Sequence, residues 1–411
     1  MNQSLYAEID RRAEALKNKL IAWRRDFHQH PELSNREHRT GKIVAEHLRA
    51  LGLEVQAPVA RTGVVALLRG DRPGPVVALR ADMDALPVAE AVDLSFASQA
   101  QSEYEGKTVP VMHACGHDAH TAILMAVAEI FAPMKSQIAG TIKFLFQPAE
   151  EGPPGDEEGG AELMIKQGVL ENPRPAAIFG LHVIAGMATG KIGYRPGPTM
   201  AGADTIRIRV QGRQTHGAFP WQGIDPVVLA SQIVIGLQTI ASRQMDITVE
   251  PCVVTISCIH GGVRDNIIPD YVDLVGTMRT FNETMREDIR NRIRTTAEHI
   301  AQSAGGSADV RIEPGYDVTI NDHGLTEKMA PTLQRVAGEG NTFIAPKLTG
   351  SEDFSKYQQV IPGLFFFLGI TPLETKHAAP NHSPRFYIDE SGLLLGVRAL
   401  AHLALDFLHT H

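Results

Sequence analysis

The sequence has little of what marks secreted, membrane or disulfide-stabilised proteins. Its 411 residues include three cysteines, Cys115, Cys252 and Cys258, and so small and odd a number argues against a disulfide framework. No uninterrupted apolar run approaches the roughly 18 residues that a membrane span needs. The first residues lack the basic start and apolar core of a secretory signal. We therefore expect a cytoplasmic protein with no membrane partner.

Positive charge is also scarce. The chain has 39 Lys and Arg against 47 Asp and Glu, a formal net charge of -8 with His neutral, and its basic residues are scattered rather than clustered. This distribution predicts no nucleic-acid partner. Hydrophobic residues make up 43% and charged residues 21%, an ordinary globular composition that excludes disordered and fibrous classes. At about 150 residues per domain, the length indicates two or more domains.

Strand-like and helix-like patterns alternate along most of the chain. Apolar runs predict strands at 64–68, 76–80, 141–146, 176–181 and 363–369. Helical periodicity predicts helices at 5–27, 118–132, 160–167, 324–337 and 389–409. This alternation predicts an α/β fold with a central mixed sheet flanked by helices. The turn residues at 71–75 predict that the first two strands are neighbours.

One segment follows a different pattern. Its order is strand, helix, strand, strand, helix, strand, at 205–210, 225–242, 252–259, 271–281, 283–304 and 308–313. This β-α-β-β-α-β order is typical of a ferredoxin-like α+β module. We expect an inserted domain over 190–313, with 1–189 and 314–411 together forming the main domain.

The densest cluster of chemically active side chains is His113-Ala114-Cys115-Gly116-His117-Asp118-Ala119-His120. Borderline ions such as zinc or manganese accept thiolate, imidazole and carboxylate ligands, so the cluster can form a metal site. It can equally be a helix start with solvated histidines, where Asp118 faces the positive end of the helix dipole. The segment alone leaves both interpretations open.

Metal-capable side chains also follow predicted strands directly, namely Asp82 and Asp84, Glu150 and Glu151, and His182. Ligands of open α/β sheets bind at the carboxyl ends of the strands. Since Glu150 and Glu151 are adjacent and point in different directions, one can bind a metal while the other takes a proton. Taken singly, the acids could be solvated surface, His182 a core histidine and His382 a loop histidine.

A cysteine nucleophile is a further alternative, because Cys115 has a histidine two residues away on each side. A helix amino terminus and a neighbouring base would lower the pKa of such a thiol. A hydrolase of this kind has no need of Glu150, Glu151 and His182 at other strand ends, which argues against it.

Together the motifs resemble the aminoacylase-like metallo-amidohydrolases, in particular the hippurate hydrolase and auxin-conjugate hydrolase branch. They occur in the order Leu79-Arg80-Ala81-Asp82-Met83-Asp84-Ala85-Leu86-Pro87, Met112-His113-Ala114-Cys115-Gly116-His117-Asp118, Pro148-Ala149-Glu150-Glu151-Gly152, Gly180-Leu181-His182, His216-Gly217-Ala218-Phe219-Pro220, Gly350-Ser351-Glu352-Asp353-Phe354 and His382-Ser383-Pro384. The resemblance extends over about 15–408. It implies a dinuclear metal hydrolase that cleaves the amide bond of a small N-acyl amino acid.

The resemblance also assigns roles. Two divalent ions per chain, zinc, manganese, cobalt or nickel, would be held by Cys115, His117, Glu151, His182 and His382. Glu150 would be the general base and Asp84 would orient the site. Two metals about 3.5 to 4 Å apart can activate a shared water and polarise the scissile carbonyl, which agrees with this division.

The inserted domain resembles the family's lid and dimerisation domain, which implies a homodimer or a dimer of dimers. Its His216 would reach the partner's active site and stabilise the oxyanion. Asn266, Arg279 and Gly350 would bind substrate, although Asn266 and Arg279 can also be structural residues at strand ends.

Two features depart from the family pattern. Trp221 stands where a histidine is expected, and the segment 99–109 is longer than the usual linker. Both leave the acyl-group specificity open. A dipeptidase or N-carbamoyl-amino acid hydrolase with the same metal chemistry is an alternative function. A non-catalytic homodimeric relative would lack a ligand or the base, and every expected position is filled here.

Overall fold

The computed structural model describes residues 2–410, in which helices and strands alternate. The helices are α1 (Asn2–Gln29), α2 (His38–Ala50), α3 (His117–Phe131), α4 (Gly160–Lys166), α5 (Pro226–Thr239), α6 (Glu283–Ser303), α7 (His323–Ala337), α8 (Phe354–Gln358) and α9 (Leu393–Thr410). The strands are β1 (Glu54–Val59), β2 (Gly63–Arg69), β3 (Arg72–Asp82), β4 (Gln101–Tyr104), β5 (Lys107–Pro110), β6 (Ala139–Gln147), β7 (Ala177–Ala188), β8 (Ile192–Tyr194), β9 (Gly197–Met200), β10 (Gly202–Gln211), β11 (Thr215–His216), β12 (Cys252–Gly261), β13 (Ile267–Ile268), β14 (Tyr271–Thr280), β15 (Ser307–Pro314), β16 (Thr319–Asn321), β17 (Thr342–Ile344) and β18 (Gly363–Thr371).

The chain forms two compact units. The second unit consists of Pro198–Ile320 and Lys347–Ser355, and the other described residues form the first. The predicted insertion over 190–313 overlaps the long segment of the second unit. The short segment lies outside that prediction, because no pattern in its nine residues distinguishes it from the main domain.

The first unit is built on an eight-stranded sheet with the order β1-β2-β6-β3-β7-β18-β8-β17. Strands β3, β6, β7 and β18 run parallel to one another, whereas β2 is antiparallel to β6 and β8 is antiparallel to β18. The sheet is therefore mixed, and helices flank it, as predicted. All nine residues of β18 are buried, as expected for a parallel strand that is covered on both faces.

The prediction that β2 and β3 are neighbouring strands is wrong. Strand β6 lies between them, antiparallel to β2 and parallel to β3. The turn-forming residues at 71–75 correctly separate two strands, but apolar runs do not encode which strand pairs with which. The pairing depends on β6, which is distant in sequence.

Helices α1, α3 and α9 pack against one another, and α3 and α9 also contact β3, β6 and β7. By length and composition Glu390–Thr410 could cross a membrane, but 78% of its apolar 18-residue stretch is buried inside the fold. It also contains Arg398 and Asp406. These properties are those of a core helix in a folded domain.

The long segment at 99–109 contains a β-hairpin made of β4 and β5. The two residues between these strands, Glu105 and Gly106, both have positive φ angles, 51° and 74°. Positive φ at both central residues is the signature of a type I′ turn, whose twist matches that of the paired strands.

The second unit contains a four-stranded antiparallel sheet with the order β12-β14-β10-β15. Helices α5 and α6 pack on it, so the β-α-β-β-α-β order is the predicted one and the ferredoxin-like module is confirmed. Helix α5 begins where Asp225 caps the backbone N–H groups of Val227 and Val228, with Pro226 at the first helical position.

Candidate metal centre

Three parallel strands bring their carboxyl ends to the same edge of the sheet of the first unit. Asp84 lies just after β3, and Glu150 and Glu151 lie in the loop after β6. His182 was expected directly after a strand, but β7 continues to Ala188 and contains it. The edge still gathers these side chains because β3, β6 and β7 are neighbours.

The segment around Cys115 leads into helix α3. Gly116 has a φ of 97°, in the left-handed region, and a Cβ at this position would lie 2.2 Å from the Val183 side chain. Only glycine fits there. Gly116 precedes the helix, so that Cys115 lies in the loop and His117 occupies the first helical position.

The alternative with solvated histidines is wrong. His113, His117 and His120 are all buried, at 2% exposure or less. Asp118 does not rely on the helix dipole alone, because its carboxylate pairs with Arg24 at 2.9 Å and with His28 at 2.8 Å. Burial opposes ionisation of Asp118, but these two partners outweigh it and hold the pKa of the carboxyl well below its usual range.

Four of the predicted ligands form a continuous series of close contacts. The Sγ of Cys115 lies 3.4 Å from His182 Nε2 and 3.3 Å from His382 Nε2. His382 Nε2 lies 3.1 Å from Glu151 Oε1. The loop histidine at 382 is therefore directed at the edge of the sheet, although half of its side chain is exposed.

His117 connects this series to the two acids. Its Nδ1 lies 3.2 Å from Asp84 Oδ1, which leaves Nε2 facing Glu150 Oε2 and Glu151 Oε1, each at 3.9 Å. The other oxygen of Asp84 accepts hydrogen bonds from the Ser34 hydroxyl at 2.7 Å and the Glu151 amide at 3.0 Å. Asp84 thus fixes both the ring of His117 and the loop after β6.

The donor atoms fit divalent metal ions. Among the described residues, five groups of donor atoms lie within 4.8 Å of one another. Three of them consist of predicted ligands and the predicted base: Cys115 with His117 and His182; Cys115 with Glu151 and His382; His117 with Glu150 and Glu151. The other two are Asp82 with His117 and His120, and Glu150 with Glu352 and Asp353. His117 Nε2 is buried and makes no hydrogen bond within residues 2–410, and such an orphaned nitrogen is a ready metal ligand. The shared members support two metal ions rather than one.

The electrostatics argue against a cysteine nucleophile. Burial raises the pKa of the Cys115 thiol well above its usual value, and the neighbouring carboxylates of Glu151 and Glu150 add to this. The thiol is therefore not preactivated as a thiolate. Burial lowers the pKa of His117, but Asp82 and Asp84 outweigh it and raise this pKa to about 10.

A hydrogen-bond network behind the centre was missed by sequence reasoning. The carboxylate of Asp82 lies 2.6 Å from both Arg80 and His120. His120 Nε2 accepts a hydrogen bond of 2.9 Å from the amide of Val183, and His182 Nδ1 donates to the carbonyl of that same residue at 2.7 Å. The signal was present in the sequence, since His120 lies one helical turn after His117.

In the second unit, the predicted lid and substrate residues form two local pairs. His216, which is exposed, lies beside the loop of Asn266, whose carbonyl accepts a hydrogen bond from the Gly217 amide at 2.8 Å. Arg279 donates to the Ser351 hydroxyl at 3.0 Å, next to Gly350. Trp221 is 74% exposed. Arg279 and Gly350 thus lie close together. The sequence did not reveal this, because Lys347–Ser355 is separated from the inserted segment along the chain.

The chain is similar to known proteins over most or nearly all of its length. A thermostable carboxypeptidase of Saccharolobus solfataricus is 38% identical over 98% of this chain and 99% of its own length. An N-acyl-L-amino acid amidohydrolase of Geobacillus stearothermophilus is 42% identical over 76% of this chain and 81% of its own. The YXEP protein of Bacillus subtilis, described as a dinuclear metal-binding peptidase, is 34% identical with a TM-score of 0.80, covering 97% and 100% of the two chains.

The sequence model of peptidase family M20/M25/M40 matches residues 78–406. This span includes every predicted metal ligand and the predicted base. Together with the relatives it confirms the predicted family and the predicted class of enzyme, a hydrolase. The chain belongs to peptidase family M20/M25/M40.

Proposed function

We propose that this protein hydrolyses the amide bond of N-acyl amino acids at a dinuclear metal centre. The observation that carries the proposal is the overlap of the donor groups: Cys115, His117 and Glu151 each belong to two of the three groups that the predicted ligands and base form. The amidohydrolase relative supports the substrate class. We assign Cys115, His117, Glu151, His182 and His382 as the ligands.

The donor set favours a borderline transition metal. A thiol, three imidazoles and carboxylates match zinc, manganese, cobalt or nickel better than the oxygen-only preference of calcium or magnesium. When bound, two such ions would act as Lewis acids, which lower the pKa of a water molecule and polarise the scissile carbonyl.

Glu150 is the general base of the proposed mechanism. Its side chain is buried, at 5% exposure, and Oε2 lies beside His117. A carboxylate in this position can take a proton from the attacking water and give it to the nitrogen of the leaving amine. Asp84 acts through His117 by holding Nδ1, so that Nε2 keeps its orientation toward the centre.

His216 is proposed to donate a hydrogen bond to the developing oxyanion from the second unit of a partner chain. Asn266, Arg279 and Gly350 are proposed to bind the carboxylate end of the substrate. An Arg279 guanidinium that keeps one hydrogen bond, to Ser351, retains further donors for a carboxylate.

A homodimer would bury apolar side chains that the single chain exposes in the second unit. Val228 and Ile235 of α5 are 52% and 70% exposed, Ile259 of β12 is 57% exposed and Val263 is 95% exposed. Exposed apolar side chains within one unit are available for a protein interface. We propose that the second unit mediates dimerisation, and that the enzyme acts in the cytoplasm.

The carboxypeptidase relative makes peptides a second candidate class. A panel of N-acetyl, N-benzoyl and indoleacetyl amino acids, N-carbamoyl amino acids and dipeptides separates these alternatives. We expect the metal-loaded protein to hydrolyse the acyl amino acids, a chelator to abolish this activity and added divalent ion to restore it. Hydrolysis of the dipeptides or carbamoyl compounds alone would overturn the assigned substrate class.

A further inference from the structure

A cavity of about 280 Å³ opens beside Glu151 in the first unit. Its walls come from the loop after α1, the segment after β3, the β4–β5 hairpin and the loop after Glu151. The volume is just below the roughly 300–1,000 Å³ of small-molecule sites. It has room for the acyl part of a small substrate.

The walls of this cavity are held together before any ligand binds. Leu33, Ala85 and Val111 form a buried apolar cluster, against which Tyr104 and Val109 of the hairpin pack. The backbone of Leu86 exchanges two hydrogen bonds of 3.0 Å with Met112, and the Ala85 amide donates to the carbonyl of Glu32 at 2.8 Å. The hairpin is thus a fixed wall.

Tyr104 is the aromatic side chain of that wall. Side chains alternate along a strand, and in β4 Ser102 and Tyr104 are half-buried while Gln101 and Glu103 are exposed. Tyr104 lines the cavity together with the apolar residues Leu33, Leu86 and Pro154. These residues give the cavity an apolar part beside its polar one.

The charges around the cavity disfavour a carboxylate. Among the described residues that line it, Arg36 is the one basic side chain, and its guanidinium is engaged by Glu157 at 2.7 and 3.1 Å. Glu103, Glu105 and Glu151 also line the cavity. An anionic group would meet the like charges of Glu103 and Glu105, while the basic side chain of Arg36 is already paired. Of the two ends of an N-acyl amino acid, the neutral acyl end therefore fits this cavity better.

The cavity is also directly connected to the proposed metal centre. Glu151 is both a lining residue and an assigned ligand, and Ser34 lines the cavity while it donates a hydrogen bond to Asp84. A group bound in the cavity therefore lies next to the ligands that would face the scissile carbonyl.

We propose that this cavity binds the acyl group of the substrate and that Tyr104 determines specificity for apolar acyl groups larger than acetyl. This inference rests on the proposed function. An aromatic ring such as that of a benzoyl group can pack against the Tyr104 ring and the surrounding aliphatic side chains. The hairpin, which forms the longer segment that departs from the family pattern, thus provides one wall of the acyl site.

The test compares N-benzoyl-L-alanine with N-acetyl-L-alanine, which differ only in the acyl group. We expect Tyr104→Ala to lower the benzoyl-to-acetyl ratio of kcat/KM by roughly tenfold or more, and Tyr104→Phe to restore most of it. Lys107→Ala is the matched control, since Lys107 pairs with Tyr104 across the hairpin and does not line the cavity. Melting temperature and metal content of each variant exclude a general loss of structure.

A binding measurement separates failure of this inference from failure of the proposed function. In the Glu150→Gln background, calorimetry should show tighter binding of N-benzoyl-L-alanine than of N-acetyl-L-alanine, and Tyr104→Ala should remove the difference. If Tyr104→Ala weakened the binding of both ligands equally, the acyl site would be overturned. It would also be overturned if the chain with Tyr104 intact bound L-alanyl-L-alanine more tightly than N-benzoyl-L-alanine, because the acidic residues that line the cavity would then prefer a free amine. If the unaltered enzyme hydrolysed no acyl amino acid, the proposed function would fail, while the calorimetric comparison would still decide about the cavity.

Discussion

The Glu37 carboxylate accepts a hydrogen bond of 2.8 Å from the backbone amide of Ala149, the residue directly before Glu150. Ala149 has a φ of 54°, a left-handed conformation that residues with a Cβ rarely adopt. The same carboxyl group also accepts hydrogen bonds from the Asn35 amide and the Thr62 hydroxyl. A fully buried acid therefore holds the backbone that presents the proposed base.

This relationship predicts a pH dependence of stability. Burial, with a contribution from Asp84, raises the pKa of Glu37 from the usual 4.5 to about 8. An acid whose pKa is raised on folding binds its proton more tightly in the folded state. Its contribution to stability is therefore complete below pH 4.5 and is lost as the pH rises through 8.

We expect Glu37→Gln, which keeps the shape and stays neutral, to be less sensitive to alkaline pH. The melting temperature of the variant minus that of the unaltered chain should increase by on the order of 5 °C between pH 5 and pH 9. Calorimetry of the metal-free proteins measures this, with Glu46→Gln, an exposed acid of α2, as the control. A difference that stays constant with pH would show that Glu37 is ionised throughout.

The network behind the centre predicts an effect on metal affinity without loss of a ligand. His120 fixes the amide of Val183, whose carbonyl in turn holds His182. Removal of such a supporting group typically costs 10–100-fold in metal affinity. His120→Ala should therefore weaken metal binding by about this factor in a competition titration with a chromophoric chelator.

His30→Ala is a suitable comparison for that titration, because His30 is exposed. Unchanged affinity in His120→Ala, with the fold intact, would mean that β7 holds His182 in place unaided.

The adjacent acids should give different phenotypes. Glu150→Gln removes the proposed base and should lower kcat by about 10²- to 10⁴-fold with nearly unchanged metal content. Glu151→Gln removes a proposed ligand and should lose metal, since its Oε1 lies 3.1 Å from His382 Nε2. Elemental analysis and kcat of the two variants test this assignment. Reversed phenotypes would exchange the roles of base and ligand.

Local sequence patterns were sufficient to find the central strands of the main sheet and the chemistry at their ends, but they did not predict helix α2 or the outer strands β1, β8 and β17. Glu150 follows an apolar run that is unmistakably a strand, and Cys115 and His117 lie in one short segment, so their proximity needed no tertiary information. The position of β6 between β2 and β3 was not predictable in this way. Strand partners are chosen by packing across the whole sheet, which a single local pattern does not encode.

Glu37 illustrates the same limit at the level of one residue. It contacts the loop of Ala149 across 112 positions of sequence, and nothing in its neighbourhood marks it as different from other acids near a helix start. The segment 99–109 is intermediate, because its extra length was visible in the sequence, whereas its fold as a hairpin and its packing against Leu33 and Ala85 were not. The roles of the individual site residues stay predictions until they are tested.

The assignment of His216 gives the prediction most exposed to error. His216 lies in the second unit, whereas every proposed ligand and the proposed base belong to the first unit. An imidazole that donates to a developing oxyanion in a dry cleft contributes roughly 3 to 4 kcal/mol, or about 10²- to 10³-fold in rate. Its exposed ring accepts a hydrogen bond from the Ala218 amide through Nδ1 at 3.0 Å, which leaves Nε2 as the donor.

Subunit exchange can test whether this imidazole acts on the partner's site. His216→Ala and Glu150→Gln should each be nearly inactive as homodimers, because each site lacks one group. In a mixed dimer, one site combines the intact metals and base of the His216→Ala chain with the intact His216 of the Glu150→Gln chain. We therefore expect activity to return on mixing, toward one working site per mixed dimer, whereas the other site lacks both groups.

The controls decide what a negative result means. Differently tagged chains, isolated through both tags, prove that mixed dimers have formed. A double variant carrying both substitutions on one chain is the control: paired with the unaltered chain it should give an inactive mixed dimer, because the intact base then meets Ala at position 216 and the intact His216 meets Gln at position 150. Recovery in the isolated mixed dimer requires that His216 act across the interface, since neither chain alone supplies both groups to one site. No recovery in that dimer would mean that His216 acts within its own chain, or that it only stabilises the turn at 214–220 through its hydrogen bond to Ala218.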